Sequence, residues 1–195
     1  VVLSYEKGEL VKAVTRGNGQ VGEVITNNAK VFKNVPLNIP HQGSLTLRGE
    51  AIIKYSDFKK INEEIEETDA KYKNPRNLCS GSVRQLNSEV TAGRNVNFVA
   101  FALIQAEDVD FHNSIEQQFQ WLENQGFEVV ERKIVTGADM EKAVAYFSDK
   151  VKKYDYPSDG LVLLYDDIAY GESLGATSKF PRNGIAFKWE DEQAE

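Results

Sequence analysis

An α+β fold, with short apolar strands and amphipathic helices mixed along one chain, is what this sequence predicts, and two observations carry the prediction. Apolar residues cluster or alternate in short runs at residues 3–5, 10–15, 45–53, 161–164 and 185–189. Between these runs, Phe58, Ile61 and Ile65, then Ile115, Phe119 and Leu122, then Met140, Val144, Phe147 and Val151 fall at helical spacing.

The elements follow in order. Lys7-Gly8 separates two apolar runs and predicts a hairpin that feeds into the glycine-rich stretch 16–22. Pro36 and Pro40 make residues 35–40 an extended connector, because each disfavours helix at the residue before it. A strand over 45–53 then carries Glu50 near its middle. Ser56 is a candidate N-cap for a helix through Glu67, whose run Glu63–Glu67 reads as a solvated face. Ser114 can cap a second helix that Gly126 ends, with Trp121 packing on it. Residues 127–134 read as a strand and 139–154 as a helix, so that 114–154 looks like a small α/β insertion in a chain that otherwise forms one domain over 1–195.

Composition narrows the function classes. With 195 residues, 41% hydrophobic and 27% charged, the chain can bury a sizeable core. No apolar run approaches a bilayer span and residues 1–6 lack the basic start of a signal peptide, so a cytoplasmic protein with no membrane partner is expected. Cys79 is the one cysteine, which rules out an internal disulfide and a multi-cysteine zinc site; it reads as a small residue packed in a turn. His41 and His112 sit in polar, loop-like contexts without ligand spacing and are assigned no chemistry, and no residue is assigned to a metal. The net charge of -7 argues against a self-sufficient DNA clamp, since non-specific DNA affinity comes from neutralised phosphates.

Five blocks carry the chemistry: T-R-G-N-G-Q-V-G-E from Thr15, L-R-G-E-A from Leu47, N-P-R-N-L-C-S-G-S-V-R-Q-L from Asn74, Y-P-S-D-G-L-V-L from Tyr156, and L-G-A-T-S-K-F-P-R-N-G-I-A-F-K-W from Leu174. Three of them place a charged group beside glycine or a short apolar strand, where backbone can approach a phosphate or sugar. Each has a bland alternative as a turn or strand end. In this order, nearly end to end, the series resembles the adenylation domain of bacterial NAD-dependent DNA ligases.

The resemblance implies an α+β nucleotidyltransferase (ATP-grasp-like) core of antiparallel sheets flanked by helices, with AMP between them. It implies NAD and Mg2+ as cofactors, and nicked double-stranded DNA as partner of a full-length, monomeric enzyme. Residue by residue, Glu50 would accept hydrogen bonds from the adenosine ribose, and Arg16 would approach the adenosine and phosphate side of NAD. Lys188 would stabilise charge on the α-phosphate, and Asp159 would orient a cation or magnesium-bound water. Arg76 and Arg84 match arginines that handle phosphate or nicked DNA, although an arginine fork equally suits a structural ion pair.

Three departures stand out. The family's nucleophilic lysine lies in a K-x-D-G motif that this chain lacks, and neither Lys7 nor Lys12 can replace it, so the chain reads as a fragment inactive alone. Leu164 stands where the family pattern D-G-V-V-I-K ends in lysine, leaving Lys179 and Arg182 as substitute cations. Asn18 replaces the usual aspartate of R-G-D-G. An ATP-dependent polynucleotide ligase, or a non-catalytic relative that binds nucleotide without forming an adduct, are the alternatives.

Overall fold

The computed structural model describes residues 1–17, 21–66 and 71–189. Two compact units emerge: Val1–Val109 with Phe119–Val130, and Asp110–Gln118 with the chain from Glu131 onward.

The first unit is built on a four-stranded antiparallel sheet. Strands β1 (Val2–Glu6) and β2 (Glu9–Val14) form the expected hairpin. Lys7 and Gly8 both take positive φ, 50° and 81°, as a primed two-residue turn requires. A short helix, α1 (Thr26–Ala29), follows, and then β3 (Leu45–Ile52), α2 (Tyr55–Glu63), α3 (Pro75–Ser82), α4 (Ser88–Ala92) and β4 (Asn97–Ala106). The strand order is β2-β1-β3-β4.

Period-two alternation sends Leu3 and Tyr5 of β1, Leu45 and Leu47 of β3, and Phe98 and Ala100 of β4 into the core. Each large apolar side chain buried in this way stabilises the fold by roughly 1.5–3 kcal/mol. Helix α5 (Ile115–Gln125) adds Phe119 and Leu122 from its later turns, and Phe127 meets the Tyr5 ring edge-on at 5.4 Å. The buried Tyr5 hydroxyl is satisfied by donating to the Pro36 carbonyl at 2.5 Å.

The second unit contains the first turn of α5, where Ser114 caps as expected, its Oγ accepting from the Gln117 N–H at 3.2 Å. A 3-10 turn, Gly137–Asp139, leads into α6 (Met140–Val151), which buries Phe147. Strand β5 (Gly160–Leu164), helix α7 (Ile168–Ser173) and strand β6 (Gly184–Lys188) complete it, with β5 and β6 paired antiparallel from Gly160 opposite Lys188 to Leu164 opposite Gly184. Arg132 clamps Glu116 with two bonds of 2.7 and 3.0 Å, and the Glu131 carboxylate accepts from Lys150, Tyr146 and Tyr154.

Several expectations need correction. Residues 127–134 do not form a strand. The amide of Asn34 already takes the Phe98 N–H and carbonyl on the free edge of β4, at 2.7 and 2.8 Å. Beyond that contact the incoming segment makes one parallel bridge, Val129 to Ala100, and does not continue along β4. The Cys79 block is a helix rather than a turn: Asn74 Oδ1 accepts from the Asn77 N–H at 2.9 Å, and Pro75 occupies the first helical position, where no N–H is needed. Helix α2 starts at Tyr55 behind Lys54 rather than at a Ser56 cap and ends at Glu63; Glu67 lies outside the described residues. His41 lies outside helix and strand, as expected, and its ring packs edge-on against Trp121 at 5.0 Å.

Candidate nucleotide and phosphate sites

Glu50 owes its position to the pattern of β3. Leu45, Leu47 and Gly49 are buried while Arg48 and Glu50 are exposed, so the two charged residues share the sheet's open face. Gly49 has a packing reason to lack a side chain: a Cβ there would lie 2.3 Å from Phe98 Cζ and 2.5 Å from the Val99 carbonyl oxygen. Only glycine lets β3 lie this close to β4 and still present both charges outward. Across the strands, Arg48 faces Val2 on one side and Ala102 on the other, and Glu50 faces Val99.

The start of β1 draws these charges together. Val1 and Gly49 exchange two backbone bonds of 2.9 Å, from the Val1 nitrogen to the Gly49 carbonyl and from the Gly49 N–H to the Val1 carbonyl. Arg48 and Glu50 flank Gly49 on β3, Arg48 lies opposite Val2, and Val2 lies opposite Val14 of β2, two residues before Arg16.

Arg16 is delivered there by a narrow loop. The Thr15 N–H donates to the Glu23 carbonyl at 2.9 Å, and the Glu23 N–H returns a bond to Thr15 Oγ1 at 3.0 Å. Arg16 is exposed at the loop's base, and Asn18 lies outside the described residues.

Helix α3 brings a third block nearby. The Cys79 thiol is pushed up to about 12, chiefly by burial, with the Glu50 charge adding to the shift. It is a packed, unreactive group, as expected. Arg76 is exposed near the start of α3. Arg84, just past its end, pairs with Glu23 at 3.3 Å, with side chains 49% and 63% exposed, so a contact of little energetic weight ties the third block to the first.

In the second unit, the D-G and F-K-W blocks meet. Lys188 stands opposite Gly160, and the Trp189 N–H donates to the Asp159 carbonyl at 2.9 Å. A Cβ on Gly160 would lie 1.8 Å from the Phe187 carbonyl oxygen, so glycine is required for β5 and β6 to close at this end. Both Asp159 and Lys188 are exposed. Leu164 sits at the opposite end of the ribbon, 40% exposed and opposite Gly184. Lys179 and Arg182 lie on the exposed turn before β6, where the Arg182 N–H donates to the Gly175 carbonyl.

The arrangement thus groups Arg16 with Glu50 in one unit and Asp159 with Lys188 in the other. It adds Arg48, which sequence reasoning missed; the signal was its two-residue spacing from Glu50 in an alternating strand. Among the described residues no three His, Cys, Asp or Glu side chains converge to hold a metal ion.

The architecture is that of a mixed α+β domain with antiparallel sheets and flanking helices. A family model described as the NAD-dependent DNA ligase adenylation domain matches residues 1–192, and the chain belongs to that family. It is 65% identical over 192 residues to a DNA ligase of Lachnoclostridium phytofermentans and 61% identical over 192 residues to a DNA ligase of Ruminiclostridium cellulolyticum, in each case over 98% of this chain. A DNA ligase of Brachyspira hyodysenteriae is 40% identical over 99% of it. The chain spans 29% of the length of each of these relatives. The ATP-dependent reading gains no support from them.

Proposed function

We propose that this chain is the nucleotide-binding segment of an NAD-dependent DNA ligase and that its fold is the nucleotidyltransferase core. The observation that carries the reading is the presentation of Glu50 on the exposed face of β3, made possible by Gly49 against Phe98, in a chain that belongs to this family.

In this reading Glu50 accepts hydrogen bonds from the adenosine ribose, and Arg16 approaches the phosphate side of the nucleotide. Lys188 stabilises negative charge that builds on the α-phosphate, where a cation held out of water acts more strongly. Arg76 and Arg84 serve the nicked DNA; for Arg84 this means exchanging a weak surface pair with Glu23 for a phosphate.

The full-length protein would use a K-x-D-G lysine, a motif this chain does not contain. The lysine nitrogen attacks the α-phosphorus of NAD, the bond from that phosphorus to the oxygen of nicotinamide mononucleotide breaks, and AMP stays on the lysine. AMP then passes to the 5′-phosphate at a nick and leaves when the adjacent 3′-hydroxyl attacks. Magnesium would supply charge neutralisation on the transferring phosphate. Asp159 is the residue that would help to hold it, as one protein ligand suits an ion bound mostly through substrate phosphates and water. No helix among the described residues is long and apolar enough to cross a membrane, and we place the protein in the cytoplasm as a monomer.

The direct test is nick sealing by the full-length protein with NAD or ATP as the only nucleotide. Sealing with NAD alone supports the reading; sealing with ATP alone contradicts it. Leu164, which offers no charge at the end of β5, favours a second reading as a non-catalytic nucleotide binder. NAD binding without sealing would support that one.

A further inference from the structure

Arg48 has no role in the reading above, and its surroundings call for one. It is exposed on the open face of β3, two residues and so about 7 Å along the strand from Glu50. Its cross-strand neighbours, Val2 and Ala102, offer no countercharge. Among the described residues no carboxylate bonds either Arg48 or Arg16.

The same face carries Lys12 on β2, opposite Ser4 of β1, which in turn lies opposite Thr46 of β3. A chain with a net charge of -7 therefore carries Arg48 and Lys12 on one face of the sheet, with Arg16 just past the end of β2 and Glu50 two residues from Arg48. A cationic surplus that the protein does not neutralise internally suits an anionic ligand. Two arginine forks flanking a carboxylate match a ligand that presents hydroxyls next to phosphate, since each planar guanidinium can bond two phosphate oxygens.

We propose that Arg48 is a phosphate ligand: together with Arg16 it grips the diphosphate of the dinucleotide whose adenosine ribose Glu50 holds. This rests on the nucleotide-binding reading above. Because Arg48 is fixed by a central strand with Gly49 locked against Phe98, its backbone is placed before the ligand arrives, and little ordering cost is left for the binding step.

The test compares the wild type, Arg48→Ala and Arg48→Lys in the full-length protein, following the rate of AMP adduct formation as NAD is varied, with thermal unfolding as a control. Arg48→Ala is expected to raise the KM for NAD at least tenfold with a smaller change in kcat. Arg48→Lys, which keeps the charge and loses the fork, should recover part of the loss. The melting temperature should stay within a few degrees, because the side chain is exposed. A KM within threefold of wild type in Arg48→Ala overturns the proposal, and so does an equal loss in both variants that follows a drop in melting temperature. If the wild type forms no adduct with NAD, the ligase reading fails instead, and equilibrium titration of the same variants with NAD decides the role of Arg48: unchanged affinity in Arg48→Ala rejects it.

Discussion

Glu50, the residue proposed to hold the ribose, owes its exposed position to a single missing side chain beside it. Gly49 lets Phe98 close the core under β3 while its two neighbours face out. Replacing Glu50 by Gln keeps the shape of the side chain and removes its charge. A hydrogen bond to a charged group contributes about 1.5–3 kcal/mol. Glu50→Gln should therefore slow AMP adduct formation roughly 10- to 100-fold at subsaturating NAD while leaving thermal unfolding unchanged, and parallel rate and melting measurements check this. The blocks that hold Glu50, Arg16, Lys188 and Asp159 were legible in the sequence because their order is distinctive, and the roles given to these residues are proposals. The grouping of Arg48 with Glu50 was not legible, since it lies in sharing a strand face, and a pairing register is needed to see that the cross-strand neighbours of Arg48, Val2 and Ala102, carry no charge.

At the scale of elements, α3 teaches the most. Its sequence, rich in Asn, Ser and Gly, reads as a turn by composition, yet the Asn74 cap and Pro75 start a helix whose other face buries Leu78, Cys79 and Ser82. Tertiary burial overrides weak helix propensity there. The helix is consequently sensitive to its cap: Asn74→Ala should destabilise the fold by about 1 kcal/mol, read from the urea unfolding midpoint. The loss should be accompanied by weaker binding of nicked DNA if Arg76 serves that substrate. The segment 127–130 shows the converse limit. Its apolar content predicts a strand over 127–134, but it makes a single parallel bridge to Ala100, beside the point where the Asn34 amide holds Phe98, a long-range contact that no local pattern signals. The β1–β2 hairpin was legible because its turn is local and needs the positive φ that Lys7-Gly8 supplies. The pairing of β5 with β6 was not, since helix α7 lies between them in sequence.

Across the whole molecule, the mixed strand and helix pattern predicted the class of fold, while the division into two compact units was not foreseen, because chain segments distant in sequence contribute to each. Asp110–Gln118 joins the later unit through bonds such as the Ile115 N–H to the Asp166 carbonyl, and Phe119–Val130 joins the earlier one through Leu122 and Phe127. The candidate ribose and phosphate groups therefore belong to one unit, and the lysine and aspartate for the α-phosphate to the other. In the proposed function the full-length protein transfers AMP from NAD. Whether it does is answered most directly by intact mass measurement of the full-length protein, after separate incubation with NAD and with ATP, each with magnesium. The account predicts a mass gain of one AMP with NAD and none with ATP, reversed by adding nicotinamide mononucleotide. A gain with ATP alone, or no gain with either from folded protein, would contradict it.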